Sequence, residues 1–191
     1  MALILRRLLR LARHYGASPQ VLAASATIAN AREHAEALTG LPFEELKAQV
    51  ARTERELLVL LPKPLDRRGE RRRSPLLEAA YLARRLAEAG LKGLVFAGAR
   101  KSAELIARYA AHPLVRPYRA GYTARERRRL EADLKEGRVR VLVSTSALEL
   151  GVDIGELDAV VLVGYPGSTA AFWQRAGRAG RGERRALLVY I

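Results

Sequence analysis

Apolar positions recur along this chain in two rhythms. At the start, Leu5, Leu8, Leu9, Ala12 and Tyr15 fall at helical spacing with arginines between them, and Gly16 follows where a helix-ending glycine belongs. The spacing predicts an amphipathic helix that is part of a fold, although so basic a start also superficially resembles a transit peptide. The run Gln20–Ser25 predicts a short strand. Asn30 is placed to cap a helix over 31–38 that Thr39 and Gly40 stop. Prolines 42, 62, 64 and 75, with the run Arg67–Arg73 and Gly69 inside it, then punctuate residues 41–75. Such a stretch reads as a linker with a solvated charged loop, around an edge or entry strand at 57–61.

From Ser74 the second rhythm takes over. Ser74 and Pro75 form an N-cap and first-turn pair for a helix to about Glu88, ended by Gly90. Strands are predicted at 94–97, 115–118, 139–144, 159–163 and 186–191. Helices are predicted at 101–111, 123–136 (ended by Gly137), 147–150 and from about Ser168. Continuously apolar strands separated by helices imply an α/β fold with a parallel sheet covered on both faces. Ligands of such sheets bind at the carboxyl ends of the strands, so chemistry is expected in the loops after 97, 144 and 163.

Composition narrows the partner. The chain has 191 residues, 49% of them hydrophobic, enough for a core, and no apolar run approaches the roughly 18 residues of a membrane span. These features point to a soluble, cytoplasmic protein. It has no cysteine, which excludes disulfides, thiolate metal sites and a cysteine nucleophile, and its three histidines are too scattered for a metal cluster, so no metal ligand is assigned. There is no G-x-S-x-G and no G-x-G-x-x-G, which argues against acyl transfer at a nucleophile elbow and against dinucleotide binding. The 34 basic residues outnumber the 20 acidic ones by 14, and all but five are arginines. A GC-rich, hot-adapted source accounts for part of that bias; a nucleic-acid or nucleotide partner, whose phosphates match the arginine fork, accounts for it functionally.

Two segments carry the sharpest chemistry. Gln174-Arg175-Ala176-Gly177-Arg178-Ala179-Gly180-Arg181 repeats arginine every third residue. On a helix that spacing keeps the guanidinium groups on one side, and the two glycines suit close approach to another surface. Ser144–Gly155 leaves the end of a buried strand with hydroxyls and free amides that suit a phosphate. Asp153 within it is either a turn-capping acid or an acceptor for a ribose hydroxyl.

In order, Ser25-Ala26-Thr27, Leu94–Glu104, Tyr118–Tyr122, Ser144–Gly155 and Gln174–Arg181 resemble motifs III, IV, IVa, V and VI of helicase superfamily 2. Within the superfamily, SATIAN, ALELGVDIG and WQRAGRAGR look most like a DExH-type group related to RecQ-like helicase 4, which includes the bacterial mitomycin repair factor A. Motif VI opens on Gln174 where DEAD-box RNA helicases have His, which favours DNA. The chain carries no G-x-x-x-x-G-K-[ST] loop, no D-E-x-x box and no cysteine cluster. The resemblance therefore implies the tail of a first RecA-like domain at 1–50, a linker and entry strand at 51–75, and a second RecA-like domain at 76–191.

The resemblance also implies roles. Arg178 and Arg181 would reach, as arginine fingers, an ATP–Mg²⁺ held mainly by the absent N-terminal domain, and so should stand open toward the ligand-facing rim rather than lie beneath packed side chains. Asp153, Gly151, Gln174 and Arg175 would line the nucleotide side, Arg175 bracing the interdomain surface. Arg100, Lys101, Gly121 and Thr145 would contact the backbone of DNA with a single-stranded region, on the opposite edge. Ser25 and Thr27 would couple the acidic box to domain closure. The strand at 20–25, short of pairing partners, is expected to be poorly ordered, swapped or packed non-natively. Two other functions fit: an RNA helicase half, separable by stimulation of the complete protein with DNA or RNA, and a non-catalytic nucleic-acid-binding module with a helicase-like fold, separable by whether a phosphate loop shares its reading frame.

Overall fold

A computed structural model of the chain describes residues 2–25, 28, 30–46, 54–148, 154–180 and 185–191. The chain divides into two compact units, Met1–Ala51 and Arg52–Ile191.

The first unit holds helices α1 (Ala2–His14) and α2 (Ala31–Thr39). Arg13 and His14 in the last turn of α1 suit its negative end, and Gly16 takes the left-handed conformation after it. Arg6 donates to the carbonyl of Ala37 at 2.7 Å, tying the helices together. Only Ala35 and Thr39 are buried in these helices. Asn30 stands at the N-cap of α2 as expected, but its side chain makes no capping bond; its carbonyl accepts from the His34 amide instead. The expected strand at 20–25 is irregular and lies outside the sheet ladders, with Leu22 86% exposed.

The second unit is a three-layer α/β/α structure. Its elements are β1 (Arg55–Val59), α3 (Pro75–Glu88), β2 (Gly93–Phe96), α4 (Arg100–Ala110), β3 (Val115–Pro117), α5 (Ala124–Lys135), β4 (Val141–Ser144), a 3₁₀ turn (Ser146–Leu148), β5 (Ala159–Leu162), α6 (Thr169–Ala176) and β6 (Ala186–Tyr190). The strands form one parallel sheet in the order β1-β6-β5-β2-β4-β3, with Phe96 level with both Leu162 and Ser144.

The two faces bury different residues. Val95, Val141, Val143, Val161 and Val189 pack against Ala79, Ala80 and Ala83 of α3 and Ile106 of α4. The small side chains of α3 bring that helix close to the sheet. On the other face Leu94, Phe96, Leu142, Val160, Leu162 and Leu188 meet Leu134 of α5, Leu148, and Ala176 and Ala179 at the end of α6. Each fully buried aliphatic side chain contributes roughly 1.5–3 kcal/mol, which makes the double-sided core the main source of stability. The short edge strand β3 ends on Pro117, a device against edge pairing, whereas β1 keeps Leu57, Leu58 and Val59 about half exposed.

Parallel pairing puts the carboxyl ends of all six strands on one edge of the sheet. The helices return the chain to the amino edge. Ser74 makes no side-chain cap on α3; its carbonyl accepts from Leu77 and Glu78, and Pro75 supplies the first turn. The charged run before it is solvated, as its composition requires, but it is closed as a hairpin by a Pro64–Arg72 bridge.

Candidate functional site

At the carboxyl edge, α4 begins on Arg100 and Lys101, both exposed, with no acidic residue in its first turn. Cations at the positive end of a helix cost about 0.3–1 kcal/mol each, a cost that a bound anion removes. Of the three hydroxyls at and after the end of β4, Ser144 is fully buried and its Oγ has no hydrogen-bond partner among the described residues, Thr145 is half-buried and Ser146 is exposed. Ser144 is therefore closed to a ligand, and Thr145 and Ser146 are the accessible pair.

Gly121 is exposed, with open space where a Cβ would stand. Its segment is well anchored. The Tyr118 amide donates to Val143 at 2.8 Å, and its hydroxyl donates to Glu131 at 2.6 Å. Burial, then that hydrogen bond and the charge of Glu131, push the Tyr118 phenol up to about 12. Arg119 lies over the Tyr122 ring at 4.7 Å and pairs with Glu104 at 2.5 Å. Thr123 and Glu126 then close a reciprocal capping box on α5.

The arginine-repeat segment departs from the expected place. α6 starts at the carboxyl edge, where the Ser168 hydroxyl accepts from the Ala171 amide, and crosses to the amino edge. There the Gly180 amide donates to the Leu157 carbonyl at 3.2 Å. Gly180 sits at φ +69, and a Cβ on it would meet Ala186 Cβ at 3.0 Å and Arg55 Nε at 3.4 Å. Leu157 precedes β5, Ala186 opens β6 and Arg55 opens β1, so this glycine is wedged among strand starts. The end of the repeat thus lies at the opposite edge from the loops after 97, 144 and 163.

Nor do Arg175 and Arg178 share one helical side, because α6 ends at Ala176, before Arg178. The Arg175 guanidinium lies 5.3 Å from the Phe96 ring centroid, inside its own domain, and Gln174 is half-buried. Arg178 is only 6% exposed, contrary to the expectation that it stands open. Arg181, Gly151, Asp153 and Thr27 lie outside the described residues, and Ser25 is exposed in the first unit.

The structure does join the two motif-bearing segments. Ile154 near the end of one, and Leu157 two residues past that end, share a cluster with Ala176 and Ala179 of the other. Arg55, which touches the Gly180 position, went unnoticed in the sequence because 125 positions separate them and no motif contains it. Among the described residues no group of three histidine, aspartate or glutamate side chains could hold a metal ion, and no helix is long and apolar enough to cross a membrane.

Residues 76–183 match the family model of the helicase conserved C-terminal domain. The chain belongs to that family. It is 39% identical over 200 residues to the uncharacterized ATP-dependent helicase YprA of Bacillus subtilis, a match covering all of this chain and 27% of YprA. It is 32% identical over 207 residues to the ATP-dependent helicase hrq1 of Schizosaccharomyces pombe, covering all of this chain and 20% of that protein. Among solved structures, the DUF1998 helicase MrfA bound to DNA and AMPPNP superposes with a TM-score of 0.86 at 39% identity, over 99% of this chain and 27% of that one. Lhr of Mycobacterium smegmatis bound to ssDNA and AMP-PNP gives 0.78 at 32%, over 99% of this chain and 26% of Lhr. This is a superfamily 2 helicase C-terminal domain of the MrfA and Hrq1 group, with the RecA-like fold. It spans 20–27% of the length of these relatives.

Proposed function

We propose that this chain is the C-terminal motor lobe of an ATP-dependent DNA helicase or translocase. The observation that carries the reading is the Gly180–Leu157 bond, which ties the arginine-repeat segment to the chain two residues past Ser144–Gly155 at the amino edge, away from the exposed cations Arg100 and Lys101. In this reading the amino edge faces a triphosphate held by a first RecA-like domain, and the carboxyl edge carries a DNA strand. Relatives solved with DNA and an ATP analogue bound support the choice of these two ligands.

The division of labour follows. Arg181 supplies positive charge to the γ-phosphate as transfer begins, an effect worth about 10³–10⁵ in turnover for arginine fingers generally. Burial weighs against direct contact by Arg178, which acts instead as a positioning residue. Asp153 and Gly151 meet the ribose side, and Gln174 and Arg175 order the approach from within the domain. Arg100, Lys101, Gly121 and Thr145 hold the strand through its phosphates, which positions it without reading sequence. Ser25 and Thr27 couple hydrolysis to closure. Mg²⁺, bound with ATP, would neutralise phosphate charge, with its ligands in the first domain.

The purified chain alone should show negligible ATP turnover, measured as phosphate release with and without single-stranded DNA. Robust hydrolysis would overturn the half-motor reading. Gln174 at the start of its motif favours DNA over RNA as the strand.

A further inference from the structure

The run Arg67–Arg73 has no role in the motor just described, and its structure is more specific than a solvated loop needs. The Leu65 amide donates to Arg71 at 2.7 Å and the Arg73 amide to Lys63 at 2.9 Å, closing two short antiparallel arms. At the tip, Asp66 turns its carboxylate onto the chain itself: Oδ1 accepts from the Glu70 amide at 3.0 Å and Oδ2 from the Arg71 amide at 2.9 Å. Gly69 supplies the left-handed turn at φ +70. Arg72 donates to the Pro62 carbonyl and Arg73 pairs with Glu78, so these two serve the frame. Arg67, Arg68 and Arg71 are exposed and hold no carboxylate partner among the described residues.

Arg67, Arg68 and Arg71 crowd a tightly clamped tip whose two acids, Asp66 committed to backbone amides and Glu70 exposed, leave it net positive. That arrangement is unfavourable for an isolated loop and favourable beside a polyanion. The hairpin connects the end of β1 to the start of α3, so it stands on the carboxyl edge, as Arg100, Lys101 and Thr145 do. From β1 to β2 is three strand steps, about 14 Å, or roughly four nucleotides at the B-form rise of about 3.4 Å. Residues 61–73 contain no aromatic side chain on which a base could stack.

We propose that Arg67, Arg68 and Arg71 form a preorganised, sequence-independent clamp on the DNA phosphate backbone, extending the strand path of the carboxyl edge. The proposal rests on the motor reading for its partner. It is tested by fluorescence anisotropy of the full 191-residue chain with a labelled 20-nucleotide single strand across a salt series. The triple variant Arg67→Ala/Arg68→Ala/Arg71→Ala should bind about tenfold more weakly at 0.1 M salt, with a log–log salt slope shallower by about 2, from about 0.7 per lost contact. The charge-matched triple Arg7→Ala/Arg10→Ala/Arg13→Ala on α1 should keep the parent slope. Asp66→Ala adds net positive charge yet frees the tip, and should weaken binding about threefold.

Equal behaviour of the two triples, or tighter binding by Asp66→Ala, would overturn the clamp. If the hairpin triple binds like the parent while Arg100→Ala/Lys101→Ala loses affinity, the clamp falls and the motor reading stands. A parent chain that binds no DNA at low salt overturns both.

Discussion

The two edges of one sheet treat their cations in opposite ways. At the carboxyl edge Arg67, Arg68, Arg71, Arg100 and Lys101 stand in solvent, on a clamped hairpin and a helix start that present positive charge outward. At the amino edge the cations have partners: Arg178 is buried, Arg55 and Arg185 are exposed but Arg55 packs against the Gly180 position and Arg185 pairs with Glu54 at 2.8 Å, and the Lys92 ammonium donates to the Lys135 carbonyl. Backbone ties reinforce that edge, from Gly180 to Leu157 and from Lys92 to the Asp158 carboxylate. Exposed cations suit a long polyanion that slides and exchanges. Cations already held by the protein's own groups suit an interface whose geometry must be fixed before a reaction begins. Location alone, the usual guide in α/β sheets, does not distinguish these uses; the partners of each charge do.

The largest effect should separate Arg178, buried at the amino edge, from Arg181 of the same repeat. In the complete enzyme Arg181→Ala should lower ATP turnover by about 10³-fold or more while strand affinity and Tm stay near the parent values. Arg178→Ala should lower turnover together with stability, because its side chain is buried and its removal strands the groups around it, at a cost on the order of 2 kcal/mol. Turnover assays, anisotropy and thermal melts on both variants give the split. Equal loss of turnover and strand binding in Arg181→Ala would move that residue to the nucleic-acid edge and erase the contrast.

A second comparison sets one glycine from each edge against the other. Gly180→Ala puts a Cβ into a left-handed position already 3.0 Å from Ala186 Cβ, so it should cost about 2 kcal/mol and lower Tm by about 6 °C. Gly121→Ala meets open space without a positive φ and should stay within about 0.5 kcal/mol of the parent. Melting both variants of this chain measures the difference. Similar Tm values would mean that the amino edge is no more tightly built than the carboxyl edge.

What the sequence made legible was local. The apolar runs that became β2, β4 and β5 are buried along their whole length, and the glycines 16, 40, 90 and 137 sit in left-handed turns after helices. The sheet order was not legible, because parallel pairing joins residues far apart, as Arg55 joins Ala186. The same gap hid the amino edge: a three-residue arginine repeat reads as one helical face only while the helix lasts, and α6 stops before Arg178. Gln20–Ser25 has a strand's composition, but a ladder needs a neighbour that local sequence does not specify. In the hairpin the composition pointed to solvent correctly, while the Asp66 carboxylate that shapes it showed only as one of two acids, with Glu70, in a basic stretch.

The smallest effect tests whether the exposed charges of the carboxyl edge stand on a fixed base. Tyr118 follows β3, is 1% exposed and carries the segment with Arg119 and Gly121. Its phenol is held neutral to about 12 in the folded chain, by burial first and by the Glu131 hydrogen bond second, against about 10 when unfolded. Between those values the unfolded chain has released a proton that the folded chain keeps, so stability should fall as pH rises. The contribution is whole below pH 10 and is lost as pH climbs through about 12. Tyr118→Phe removes the titrating group while keeping the ring, so its urea midpoint should decline less steeply than the parent's between pH 9.5 and about 11.5. Subtracting one curve from the other cancels the chain's remaining tyrosines. Parallel curves would mean that this phenol ionises as freely in the folded chain as in the unfolded one, and that the carboxyl edge lacks the buried anchor beneath its cations.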